Sequence, residues 1–150
     1  MADLLLGGRI DPATGDRTAD KAVVGSADLT THGVIVGMTG SGKTGLGVVL
    51  IEEYLAAGVP TILIDPKGDL TNLLLIFPEL RGTDFRPWVN EGDAQKAGVG
   101  MDEFAEQQAT SWREGLAGWD ITPERLAELR AKVDFTIYTP GSSSGRPLNI

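Results

Sequence analysis

Cysteine is absent from this 150-residue chain, which excludes a disulfide framework, a thiolate metal site and a thiol nucleophile. Histidine occurs once, as His32, with no serine–aspartate constellation beside it, so it reads as a structural hydrogen-bonder rather than a catalyst. Long hydrophobic runs are missing too. The apolar stretch Leu4–Leu6 has no basic residue ahead of it, and it is too short for a signal-peptide core or a bilayer span. No membrane segment is expected, and the cytoplasm is the default location. Basic side chains are scarce: 13 Lys and Arg against 21 Asp and Glu give a formal charge of −8. A surface of that sign argues against a whole-surface nucleic-acid footprint, which recruits Lys and Arg patches, although a local basic loop remains compatible with it. Aromatics are few, at 6%. Trp112 and Trp119, with Phe104 and Leu116, fit one apolar helix face better than a base-stacking platform, and Trp88 after Pro87 fits a loop anchor.

What is present is a globular composition, 41% apolar and 23% charged, long enough for one ordinary domain. Residues 1–28 read as an irregular, β-rich N-terminal segment. In it Leu4–Leu6 and Val23–Val24 are short strand candidates either side of the turn-forming stretch 11–16. Residues 29–150 read as the N-terminal part of an α/β domain. Gly33–Val36 and Thr61–Asp65 are short β-branched runs suited to buried strands, and Asp134–Thr139 is a third. Between them lie helices from about Lys43 to Ala57, closed by Gly58, from about Asp102 to Leu116, and from Pro123 to about Lys132 behind the cap Thr122. Leu70–Phe77 reads as a short helix and residues 79–100 as loop-rich. Strands alternating with helices predict a three-layer α/β fold with a mostly parallel sheet. The chain stops directly after a strand-like run, and on that ground the sheet is expected to be incomplete and the chain an N-terminal piece of a longer protein.

Gly37-Met38-Thr39-Gly40-Ser41-Gly42-Lys43-Thr44 satisfies G-x-x-x-x-G-K-[ST] at every fixed position. Glycines let successive N–H groups point into one concavity, and the following helix aims its positive end at the same place. The expected ligand is ATP with Mg²⁺, bound by Gly37 to Thr44 together with Gly45. Lys43 would bridge β- and γ-phosphate oxygens as the catalytic cation, and the Thr44 hydroxyl would ligate the metal. Asp65, at the end of an apolar run, is a further nucleotide-site candidate. The competing reading is that it turns the chain at the sheet edge. Asp65-Pro66-Lys67-Gly68 also mimics the D-x-x-G of GTPases, but no N-K-x-D guanine motif accompanies it. Glu52 and Glu53 read as solvated, and Arg81, Arg86 and Arg113 cannot be told from ordinary surface arginines.

From Leu29 through Thr44, and again at Ile64-Asp65-Pro66-Lys67-Gly68-Asp69-Leu70, the sequence resembles the HerA–FtsK superfamily, in particular bacterial HerA-helicase-like ATP-binding proteins. Tyr138–Ser142 and Arg146–Asn149 are similar to the strand and loop that follow there. The resemblance implies a RecA-like P-loop ATPase core, ATP-driven movement along double-stranded DNA, and homo-oligomeric rings, typically hexamers. It carries phosphate binding over to Gly40, Ser41, Gly42, Lys43 and Thr44, and a place near the nucleotide to Asp65. The family's catalytic Asp-Glu strand end, sensor and arginine finger have no counterpart in these residues, so this chain alone is not expected to hydrolyse ATP. Two alternatives remain open: a non-hydrolysing nucleotide switch module and, less favoured, a GTPase.

Overall fold

The computed structural model describes residues 2–148. Asn149, the last residue of the family-like stretch Arg146–Asn149, lies outside the described residues.

The chain opens on an antiparallel hairpin, β1 (Asp3–Ile10) against β2 (Arg17–Gly25). The two apolar runs expected as strands pair with each other, Leu4 opposite Val24 and Leu5 opposite Val23. The register shifts after Leu5 and again after Gly8. Leu4 is 1% exposed, and β1 lays this face on helix α1 (Lys43–Ala56). Helix α1 ends as a Schellman motif. Gly58, at φ 77°, donates to the Leu55 carbonyl and Val59 donates to that of Tyr54, satisfying carbonyls that the helix leaves open.

Residues 77–121 build a second body of side chains. Helix α2 (Gly82–Phe85) packs on α4 (Met101–Ala117), with α3 (Glu91–Ala97) alongside. Leu80, Phe85, Ala105 and Ala109 form its buried core, with Phe77, Val89 and Leu116 against them. The Phe85 ring meets Phe77 edge-on at 5.1 Å and tilts against Trp112 at 6.3 Å. Leu80 holds the left-handed conformation at φ 47° although it is not glycine. Its carbonyl is gripped by the Arg113 guanidinium at 2.7 Å, and the same Arg113 pairs with Glu106, which accepts from the Gly82 N–H at 3.1 Å. Helix α5 (Pro123–Lys132) begins at Thr122, whose hydroxyl accepts from the Arg125 N–H. Leu126 of α5 packs on the same core.

Carboxylates fasten this helical body. The Arg81 guanidinium holds the Asp84 carboxyl below the usual range, and Arg113, followed by the Gly82 N–H, does the same for Glu106. A carboxyl depressed on folding stabilises the fold above its unfolded pKa, and that contribution is lost as pH falls through the folded value. The melting temperature is therefore expected to hold from neutrality down to about pH 5 and to drop below about pH 4. In the variant carrying Asp84→Asn and Glu106→Gln that acid limb should flatten. An unchanged limb would remove these two groups as its cause.

The structure departs from several expectations. Among the described residues the sheets are two two-stranded ladders, β1–β2 and a parallel pair, β3 (Tyr138–Pro140) with β4 (Arg146–Leu148). They do not form the three-layer parallel sheet. Residues 33–36 and 61–65 are not laddered, and Val34, Val36, Ile62 and Ile64 are 82, 83, 93 and 86% exposed. A buried parallel strand needs partners on both edges and helices on both faces. Here α1, the helix that would cover these runs, packs instead against β1, α5 and the 3-10 helix Asp69–Leu74. That 3-10 turn stands where a helix to Phe77 was expected, and of the run 134–139 only its last two residues join a ladder. Finally, residues 79–100 contain α2 and α3. Helix α3 is capped by the Asn90 side chain, which accepts from the Gly92 N–H at 2.7 Å, and by Gly98 at φ 72°.

Candidate nucleotide site

The loop Gly37–Thr44 leads from an unladdered run straight into α1. Gly40 and Gly42 sit at φ 80° and 86°, a region that side chains strain to enter, and a Cβ at either would meet nothing within 4 Å. The turn is thus wound by two left-handed glycines with open space in front of them. Gly42 is also the N-cap of α1, and no side chain caps the helix there. The first-turn N–H groups, which no helix can satisfy internally, face that space with the positive end of the helix dipole behind them. At Gly37 the backbone passes so close to the Ser41 hydroxyl that an added Cβ would lie 2.5 Å from it.

Lys43 folds back over the loop, its ammonium donating to the Met38 carbonyl at 2.5 Å. Thr44 follows on the exposed side of the first helical turn, with Gly45 beyond it, and Met38 and Thr39 form the exposed crest. The arrangement fits an anion: a flexible cation, uncapped amides and a turn open to solvent. Thr44, exposed one residue beyond Lys43, is the hydroxyl that a divalent cation brought with that anion could use. No cluster of three or more His, Asp or Glu able to hold a metal unaided occurs among the described residues.

Asp65 lies at the start of the turn into the 3-10 helix, which packs on α1. Its carboxylate accepts from the Gly68 N–H at 2.9 Å and the Leu70 N–H at 2.8 Å. The Leu70 bond foremost, with those of Gly68, Lys67 and Asp69, holds the carboxyl below the usual range against an opposing desolvation. Chemically this is a fully ionised, backbone-anchored group that organises its turn.

The arginines that sequence reasoning left undecided are used structurally. Arg81 pairs with Glu79 and Asp84, Arg86 with Asp102, and Arg113 with Glu106. His32 is exposed. Trp119 is half exposed beneath the Arg17 guanidinium, 3.8 Å from its ring centre, and Arg17 also donates to the Gly118 carbonyl at 2.8 Å. This stack ties β2 to the end of α4. Sequence reasoning missed Glu53, which is not solvated: one carboxylate oxygen accepts from the Leu5 N–H at 2.8 Å and the other pairs with Arg125. Both partners are distant in sequence, and no local pattern announces them.

A glycine-rich turn of this pattern, running into a helix that carries Lys and Thr at its start, defines the class of P-loop NTPases. Residues 16–133 match the family described as Helicase HerA, central domain, and the chain belongs to that family. Membership brings with it the P-loop NTPase fold and, in the coarse sense, a nucleotide-binding, ATPase-like function. No curated protein and no solved structure matches the chain. Among the described residues no helix is long and apolar enough to cross a membrane.

Proposed function

We propose that the loop Gly37–Thr44, with Gly45, binds the triphosphate of ATP together with Mg²⁺. The observation that carries this reading is the pair of left-handed glycines, Gly40 and Gly42, opening the uncapped start of α1 beside Lys43. Amides of the loop would take phosphate oxygens, and Lys43 would exchange the Met38 carbonyl for the β- and γ-phosphates. Thr44 would hold Mg²⁺, whose contribution is to neutralise charge developing on the phosphate oxygens. Asp65 supports the site through the turn that packs on α1.

In the intact assembly the reading extends, by family, to a cytoplasmic ATPase. It would have a RecA-like, three-layer parallel sheet to which residues 33–36 and 61–65 contribute strands, and it would work as a ring of like subunits moving on double-stranded DNA. For the 150-residue chain itself, binding without turnover is the better description. Two carboxylates that could otherwise serve the loop are committed elsewhere, Glu53 to Leu5 and Arg125, and Asp65 to its own turn.

Calorimetric titration with ATP and Mg²⁺ is expected to show one site per chain, with GTP competing weakly and no phosphate released over hours. Equal competition by GTP would redirect the reading to a purine-indifferent site. Steady phosphate release that vanishes in Lys43→Ala would show that these residues suffice for hydrolysis.

A further inference from the structure

The direction of α1 decides where its first amides and Lys43 point, yet little along the helix fixes it. None of its side chains is fully buried, and glycines at 45 and 47 stiffen its first turns poorly. Its C-terminal half carries the anchor. Glu53 lies ten residues from Lys43 on the same unbroken helix, and its side chain is 11% exposed. One carboxylate oxygen accepts from the Leu5 N–H of β1 and the other pairs with Arg125 of α5. Arg125 is itself set in place: its N–H is held by the Thr122 cap, and its neighbour Leu126 is packed on the core of the helical body. A single carboxylate therefore joins the hairpin, α1 and α5.

We propose that this Arg125–Glu53–Leu5 clasp is a positioning device for the phosphate loop, orienting α1 and thereby setting triphosphate affinity. The proposal rests on the nucleotide reading given above. Glu53 and Arg125 touch no ligand. They act through the helix, linking the helical body to the loop by a path in which charge pairing, and not bulk, is the sensitive element.

Glu53→Gln keeps an acceptor for the Leu5 N–H but discards the charge, Arg125→Ala removes the partner, and Arg125→Lys restores it. In the full chain, Glu53→Gln and Arg125→Ala are expected to weaken ATP–Mg²⁺ binding about tenfold, as misplacement of an aligned group does, with Arg125→Lys within about threefold of the unaltered chain. In the nucleotide-free protein the amides of Gly45–Val49 should exchange hydrogen faster in the first two variants and regain protection in the third. Lys96→Ala, which breaks an exposed ion pair to Asp93 on α3 and touches neither α1 nor α5, serves as the reference and should leave affinity unchanged. Unaltered affinity or exchange in Arg125→Ala overturns the proposal, and so does an equal affinity loss in Lys96→Ala. Failure of the unaltered chain to bind ATP overturns the nucleotide reading itself. That outcome is distinct from failure of the clasp, where binding is intact and the variants behave like the parent.

Discussion

Replacing Lys43 by alanine is expected to weaken ATP–Mg²⁺ binding by about 100-fold while leaving the melting temperature of the nucleotide-free chain unchanged. The size follows from what is lost. A charge-assisted contact to a phosphate contributes on the order of 3 kcal/mol, about two decades in affinity. The specificity follows from the structure. Lys43 is only partly covered, and its ammonium makes one bond, to the Met38 carbonyl of its own loop. Nothing in the core depends on it. Titration calorimetry and thermal melts of the two proteins side by side provide the check, and unchanged affinity would refute the assignment of the phosphate loop.

The largest effect on stability is expected from Phe85→Ala. Phe85 is 9% exposed, meets Phe77 edge-on and leans on Trp112, and it stands at the contact of α2 with α4. Emptying such a site costs about 3–5 kcal/mol, a large share of the roughly 5–15 kcal/mol that holds a typical domain folded. Below the lowered melting point the variant should still bind ATP, since α1 and the hairpin lie outside that core. A melting temperature within a degree or two of the parent would show that Phe85 does not hold the helical body together.

The parts of this architecture written in local chemistry were legible in the sequence. Gly58 marked the end of α1, and Thr122 with Pro123 marked the start of α5, because each cap is a bond between near neighbours. The turn into α1 was legible for the same reason: its winding needs glycine at specific positions, and Gly40 and Gly42 are there at positive φ. Helix α3 was missed although Asn90 and Gly98 supply both of its caps. Its seven residues are short, with Ala94 alone fully buried, so no apolar periodicity drew attention to it. The runs 33–36 and 61–65 were read as buried strands and carry no ladder here, because whether an apolar run joins a sheet is decided by its neighbours and not by its own residues. Glu53 illustrates the same limit for a site. Its partners Leu5 and Arg125 are 48 and 72 residues away, and only the fold brings them to one carboxylate.

Val34, Val36, Ile62 and Ile64 turn branched apolar side chains outward on backbone that carries no ladder. Unpaired amides and carbonyls next to such side chains are the template from which one polypeptide recruits another into cross-β stacks. The solubility of the isolated chain is therefore a contest between two surfaces. Its −8 charge keeps molecules apart at low ionic strength, and added salt removes that protection while leaving the sticky rows untouched. Dilute, low-salt solutions are the regime in which nucleotide binding can be observed free of association.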